Sequence, residues 1–324
     1  MAVNLKSINM KKVLVTGAFG FIGSNMVKFL LDNTDYHIVG VDDGSGATNT
    51  QLMIDLQKEN VGRISLAFMD FTEVSLYDID VVYHFAATPR VSYSVEEPIE
   101  TNDNNVTKTL LLLERCGKAN VKRFVFSSSS SIYGDVETFP TKETEEKNPK
   151  SPYALQKFII EEYCKLWSEL YGLDTVCLRY FNVYGPNQYA ENSYATVICA
   201  WIKGYLSNEP IRLDGDGTQS RDFTYVTDIC NANYIIGKYE GNLNGKCFNA
   251  AGGNNYSLLD VKDKIDILSD NNPELIIKPT RVGDVYKTKS DSSELGKFGL
   301  KTEADLAEGI KRTYEWYKSN LVNG

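Results

Sequence analysis

Tyr153 and Lys157 stand four residues apart in the segment SPYALQK (residues 151–157). On a helix that spacing puts both side chains on one face. A tyrosine ordinarily titrates at about 10, too high for a base at neutral pH. A neighbouring ammonium favours the phenolate and brings the group towards general-base work. Such a pair recurs by chance on amphipathic helices, so the chemistry needs a third group. The run KRFVFSSSSSIYGD (residues 122–135) offers one. Consecutive serines ordinarily read as a flexible linker. Here they follow an apolar strand-like run and precede Ile132-Tyr133-Gly134. A serine at a strand end beside Tyr153 can hydrogen-bond the same substrate oxygen.

Residues 13–24, VLVTGAFGFIGS, point to the partner of that base. Gly17, Gly20 and Gly23 have the spacing GxxGxxG, follow a strand-like run and open a helical one. Glycines there permit a tight turn and a close backbone approach to a pyrophosphate. The helix N-terminus adds free N–H groups and a positive dipole end. The next strand-like run ends in Val41-Asp42-Asp43, where an acid accepts hydrogen bonds from the adenosine ribose. A carboxylate repels a 2′-phosphate, and no arginine follows in GSGATNT (44–50). The expected dinucleotide is therefore NAD and not NADP. Its positive nicotinamide ring would favour the Tyr153 phenolate further. Asp70, just past a third strand-like run, is a candidate contact to the adenine edge.

These groups need a scaffold, and the first half of the chain supplies its rhythm. Residues 12–16, 37–41, 63–68, 81–85, 123–127 and 175–178 read as strands. Residues 21–31, 98–116 and 153–170 read as helices. The alternation predicts an α/β fold with a doubly wound parallel sheet. Residues 1–10 read as a loose leader, with Met10 an alternative start, and 11–180 as the NAD-binding domain. After about residue 180 the stretches GPNQYAENS, LDGDGTQS and AAGGNNYS are rich in Gly, Asn and Ser. Residues 181–324 are expected to form a smaller C-terminal substrate-binding α/β part that interleaves with the first domain. Residues 137–147 read as a solvated surface loop.

Composition excludes several classes. The chain has 324 residues, a net charge of −9 and 42% hydrophobic residues, which fits a large soluble core and not a nucleic-acid binder. No apolar run is long enough to span a membrane. The six cysteines lack CxxC spacing and read as reduced thiols of a cytoplasmic protein, with no metal site. Only His37 and His84 are present. His84 reads as a structural strand-end residue, not an acid or base.

The glycine loop, the serine run and YxxxK together resemble the extended short-chain dehydrogenases/reductases, in their nucleotide-sugar epimerase branch. Residues 11–318 carry the likeness. The matching stretches are VTGAFGFIGS, HFAA (84–87), NNVTKTL (104–110), FVFSSSSSIYGD, SPYALQK, LRYFNVYGP (178–186), GDGTQSRDFTYV (215–226) and RVGDV (281–285). The resemblance implies a Rossmann domain and a strand end in the serine run, with Ser129 catalytic beside Tyr153 and Lys157. It implies cofactor contacts at Gly17, Phe19, Gly20, Phe21, Ile22, Gly23, Asp42, Asp43, Asp70, Phe71, Phe85, Ala86, Ala87, Asn104, Tyr153, Lys157 and Phe181. For a UDP-sugar substrate it implies Ser129, Ser130, Asn182, Arg221, Arg281, Asp284 and Thr288, the two arginines on the phosphates and Asp284 on the uridine ribose. Helices 98–116 and 153–170 resemble those that pair in family homodimers.

The implied reaction is 4-epimerisation through a transient 4-keto sugar, with tightly bound NAD regenerated each cycle. Dehydrating relatives carry Thr-Asp-Glu at the serine site and decarboxylating ones a Glu; Ser129-Ser130-Ser131 has no carboxylate. Thr288 aligns with a wall residue near the sugar's C2 substituent, and its small size favours UDP-GlcNAc/UDP-GalNAc, with UDP-glucose/UDP-galactose also open. Arg90, in ATPRVSYS (87–94), departs from the epimerase pattern. It reads as a surface residue or as the partner of a carboxylate, which would mean UDP-glucuronate. Another dehydratase or reductase of the same fold, and a non-catalytic NAD-binding protein, remain alternatives.

Overall fold

A computed structural model describes residues 11–189, 196–280, 286–302 and 304–321. Six strands of the first half are Lys12–Thr16 (β1), His37–Asp42 (β2), Ile64–Phe68 (β3), Val81–His84 (β4), Arg123–Ser129 (β5) and Asp174–Tyr180 (β6). A seventh, Lys246–Ala250, joins the far edge, giving the order Lys246–Ala250, β6, β5, β4, β1, β2, β3. Every pairing in this sheet is parallel. Parallel strands are covered on both faces, which is why the central strands β1 and β4 are almost wholly apolar and buried.

Side chains alternate between the two faces. Val13, Val15 and Tyr83 pack under helix Phe21–Asn33 (α1) and helix Val226–Lys238, through Met26, Leu30, Ile229 and Ile236. Leu14, Val82, Phe124 and Phe126 pack on the opposite side, against Leu112 and Leu113 of helix Lys108–Lys118 and Ile160 of helix Pro152–Tyr171. The strand order reverses between β1 and β4, which opens a crevice at the carboxyl edge of the sheet.

The expected doubly wound sheet is present, with two differences. The span 98–116 is not one helix: a π-helical turn, Asp103–Thr107, interrupts it between Pro98–Asn102 and Lys108–Lys118. The extra residue in this wider turn aims Asn104 and Asn105 at the loop after β4. Asn104 Nδ2 donates to Thr88 Oγ1 at 2.9 Å, and Asn105 Oδ1 accepts the Thr88 N–H at 2.7 Å. Such π-turns are frequent at functional sites.

The second difference is regularity beyond residue 180. Helices Val197–Ser207, Leu258–Asp266 and Leu306–Leu321 enclose their own core, which includes Trp201, Tyr205, Ile265, Ile310 and Tyr314. Of the polar Gly/Asn stretches, 213–220 and 250–257 lie between the first two of these helices, and the intervening apolar periodicity is what the composition concealed.

Candidate active site

The cofactor loop is built by steric exclusion. Gly17 follows β1 at φ +66°, and a Cβ there would lie 2.8 Å from the Ala86 nitrogen. A Cβ on Gly23 would lie 2.0 Å from the Gly17 carbonyl oxygen. Glycine at both positions lets the turn fold onto the strand end and lets α1 start immediately. Gly20 is the N-cap of α1 and has no side-chain capping bond. The first intrahelical bond is Ser24 N–H to Gly20 O. The preceding N–H groups of the first turn, at Phe21, Ile22 and Gly23, are the ones a helix start leaves for an anion. An uncapped helix start behind a side-chain-free turn fits the pyrophosphate of NAD. Phe19 contributes backbone only, since its ring is buried against Phe68 with centroids 4.5 Å apart.

Asp42 closes β2 and is 8% exposed. Its Oδ2 accepts the Phe19 N–H at 3.1 Å and its Oδ1 the Gly44 N–H at 2.9 Å. Burial pushes this carboxyl above its ordinary value, against those two N–H groups. Each oxygen retains a lone pair for a ribose hydroxyl. Asp43 is exposed and holds Ser45 through one oxygen. Asp70 pairs with Lys108 at 2.7 Å. Burial works to raise its carboxyl, but Lys108 and Thr72 outweigh that and leave it below its ordinary value. Phe71 is buried in the core after β3, and Phe85, Ala86 and Ala87 follow β4 at the same edge.

The serine run continues β5. Ser127, Ser128 and Ser129 pair in register with Leu178, Arg179 and Tyr180, and Ser130–Tyr133 forms a 3-10 turn. The linker alternative is therefore excluded. Helix Pro152–Tyr171 is set by Ser151, whose side chain caps the Ala154 N–H, and by Pro152 at its first position. Its inward face presents Tyr153, Lys157 and Glu161, one per turn, to those serines. The Ser129 hydroxyl neighbours the Tyr153 phenol and favours its ionisation. Lys157 Nζ donates to the Ser127 carbonyl at 2.8 Å. Ser128 Oγ donates to Glu161 Oε1 at 2.5 Å.

The electrostatics differ from the sequence expectation. Burial pushes the Tyr153 phenol up to about 12, with the Ser129 hydroxyl pulling the other way. Burial also pushes the Lys157 ammonium down to about 7, with Cys177 and Glu161 opposing. Lys157 lies 5.8 Å from the Tyr153 ring centre. The chain's own groups thus keep Tyr153 a phenol at neutral pH, because the desolvation that weakens the ammonium acts on the tyrosine too. His84 is structural: its Nδ1 bonds Thr16 Oγ1 at 2.7 Å and its Nε2 bonds Thr109 Oγ1 at 2.9 Å. Burial lowers it to about 3, so it is neutral at neutral pH.

The substrate candidates gather beyond the serine turn. Ser130, Phe181 and Thr288 line one small cavity with Tyr133 and Lys287. Phe181 itself is buried against Ile132, Tyr133 and Ala251. Asn182, at φ +28°, turns its Nδ2 to Thr288 Oγ1 at 3.3 Å. Thr288 Oγ1 also accepts the Asp222 N–H at 3.0 Å. Arg221 donates to the carbonyls of Ser220 and Tyr286. Arg281 and Asp284 lie outside the described residues. Arg90 sits half-buried before helix Val91–Glu96, its carbonyl accepting the Ser94 N–H.

Sequence reasoning missed the layer behind the serines. Arg179 binds Glu161 through Nε at 2.9 Å and Nη2 at 2.7 Å, and reaches Tyr133 Oη through Nη1 at 2.8 Å. Glu161 was open to discovery, four residues beyond Lys157 and eight beyond Tyr153. Ser131, not Ser130, bonds Ser129.

One family match and three relatives bear on this site. The NAD dependent epimerase/dehydratase family matches residues 13–251. The UDP-N-acetylglucosamine 4-epimerase of Methanobrevibacter ruminantium M1, solved in complex with UDP-N-acetylmuramic acid, is 36% identical with a TM-score of 0.88, covering 96% of this chain and 99% of that one. The UDP-glucose 4-epimerase of Thermotoga maritima, solved with UDP-glucose, is 32% identical with a TM-score of 0.87, covering 96% and 99%. The UDP-glucuronate 4-epimerase of Thermodesulfobacterium geofontis is 34% identical over 325 residues, covering 95% and 96%.

Proposed function

The chain belongs to the NAD dependent epimerase/dehydratase family, and on that footing we propose that it inverts C4 of a UDP-hexose, preferably UDP-GlcNAc/UDP-GalNAc. It is an isomerase and its cofactor is NAD. The reading rests on the meeting of Ser129, Tyr153 and Lys157 at the carboxyl edge of the sheet, with hydroxyls and no carboxylate on the adjoining turn.

In this reading Phe21, Ile22 and Gly23 hold the pyrophosphate through backbone N–H groups, and Gly17, Phe19 and Gly20 form the turn that lies against it. Asp42 and Asp43 take the adenosine ribose, Asp70 and Phe71 border the adenine, and Phe85, Ala86, Ala87, Asn104 and Phe181 line the remainder. Arg221 and Arg281 take the sugar diphosphate, and Asp284 the uridine ribose. Asn182 and Ser130 border the sugar. Tyr153 as phenolate accepts the O4 proton while the C4 hydride departs and the C4–O bond becomes a carbonyl. When bound, NAD accepts that hydride and returns it. The keto sugar turns about its link to the diphosphate between the two transfers. Tyr153 then gives the proton back to O4, and C4 is inverted. Lys157 bonds the nicotinamide ribose and supports the phenolate when protonated.

The N-acetyl preference rests on Thr288, a small side chain at the cavity wall, and on the likeness to a UDP-GlcNAc epimerase. A second reading, UDP-glucuronate, is favoured by one observation: Lys287 lines the same cavity, and an ammonium there suits a uronate carboxylate. Parallel incubations with UDP-GlcNAc, UDP-glucose and UDP-glucuronate, followed through the anomeric protons by NMR, separate the two. Turnover of UDP-glucose without UDP-GlcNAc would refute the N-acetyl preference.

A homodimer is part of the same proposal. Ile99, Leu155, Leu170 and Tyr171 are exposed on the outer faces of the helices that include residues 98–116 and 152–171, an apolar surface suited to a second copy. Six free thiols fit a reducing compartment such as the cytoplasm. No described helix is long and apolar enough to cross a membrane.

A further inference from the structure

We propose that Ser131 is a positioning residue that fixes the Ser129 hydroxyl as a one-way donor to Tyr153. Tyr153 then exchanges the proton with the substrate O4 directly, and Ser129 does not relay it. This deepens the 4-epimerase reading and rests on it.

A serine hydroxyl has one proton to give and two lone pairs to receive. Ser129 Oγ accepts the Ser131 N–H at 3.2 Å and the Ser131 Oγ–H at 2.9 Å. Both lone pairs are taken from one side, so only its proton remains for the Tyr153 phenol oxygen. A relay would require Ser129 to accept the O4 proton as it releases its own, and the accepting position is filled. The other serines of β5 have different duties: Ser127 Oγ donates to the His84 carbonyl at 2.9 Å, and Ser128 Oγ to Glu161.

The turn that presents Ser131 is rigid. Ile132 and Tyr133, which follow it, are buried. The Ser131 carbonyl accepts the Gly134 N–H at 3.2 Å, and the Ile132 carbonyl accepts the Asn148 N–H at 2.9 Å. Gly134 is at φ +62°, and a Cβ there would lie 2.1 Å from the Asn148 carbonyl oxygen. Turning Ser131 away would strain the Ile132–Asn148 bond that ties this turn down. The charged groups packed nearby are Lys157 on the tyrosine's own helix and, one turn deeper, the paired Glu161 and Arg179; His84 is neutral. A change at Ser131 leaves all of them in place.

The test compares Ser131→Ala, Ser131→Thr, Ser129→Ala and Tyr153→Phe as NAD-loaded enzymes. Tyrosine labelled with 13C at Cζ reports phenol ionisation, and the signal missing from Tyr153→Phe identifies Tyr153. In Ser131→Ala the Tyr153 midpoint should rise by about one pH unit. Its kcat for UDP-GlcNAc should fall about tenfold, with KM within about twofold. Ser131→Thr, which keeps the hydroxyl, should restore both. Ser129→Ala should stay more active than Tyr153→Phe. An unmoved midpoint with unchanged kcat, a rise in KM alone, or Ser129→Ala as inactive as Tyr153→Phe would overturn the proposal. If the wild-type enzyme turned over no UDP-sugar, the functional reading would fail, and the Tyr153 midpoint would still decide the role of Ser131.

Discussion

Glu161 and Arg179 form a two-bonded ion pair, 1% and 4% exposed, directly behind the serines that face Tyr153. Desolvation works to lower the Arg179 guanidinium, and Glu161 more than offsets it. Removing one partner leaves an unpaired charge in the core. Glu161→Gln and Arg179→Met should each lose about 3–5 kcal/mol of stability in urea unfolding. Ser128→Ala removes one neutral donor to Glu161 and should lose about 1–2 kcal/mol. Equal losses in all three would contradict the ranking.

Lys157 offers a test of opposite sign. Its ammonium is lowered from an unfolded value of about 10 to about 7. Below pH 7 both states hold the proton, and the fold bears the full desolvation cost. Between about 7 and 10 the unfolded chain binds more protons, so the Lys157 contribution to stability rises with pH. Lys157→Met should be more stable than the parent near pH 7, by about 1–2 kcal/mol, and inactive. Its stability should also lack that rise. A less stable Lys157→Met would show that the Ser127 carbonyl bond outweighs burial.

The cofactor loop allows a sharper loss. With its Cβ placed 2.0 Å from the Gly17 oxygen, Gly23→Ala must displace the loop or the start of α1. The variant should purify with NAD content reduced by at least about tenfold, read as nucleotide released on denaturation. Tyr153→Phe should retain its NAD and lose about 10²–10⁴ in kcat, the range of a lost acid–base group.

These expectations divide along the line between local and distant information. The glycine loop, the strand ends and the Tyr153/Lys157 spacing are local, and the structure places them at one sheet edge. Ser129 was legible because strand β5 continues three serines past Phe126, a register that the resemblance supplied. The Lys246–Ala250 strand was hidden because five residues flanked by polar turns carry little signal on their own; its pairing with β6 makes it a strand. The π-turn at Asp103–Thr107 depends on Thr88, some fifteen residues away, and no periodicity announces it. The Glu161–Arg179 pair joins a helix to a strand, so neither segment alone reveals it. Lys157 was read as an activating charge from its spacing, whereas its protonation depends on burial, a tertiary property.

Sugar preference turns on the cavity wall. Thr288→Tyr should reduce kcat/KM for UDP-GlcNAc by at least about tenfold more than for UDP-glucose. An equal loss for both sugars would assign Thr288 to supporting Asp222 and Asn182, whose bonds it accepts.

In the proposed reaction the hydride leaving C4 returns to C4 while Tyr153 handles only the hydroxyl proton. UDP-GlcNAc deuterated at C4, incubated with the purified enzyme in ordinary water, tests this directly. Mass and NMR analysis of the UDP-GalNAc formed should find the deuterium still at C4, with no net absorbance gained at 340 nm. Deuterium lost to solvent, or appearing as accumulated reduced cofactor, would contradict the claim.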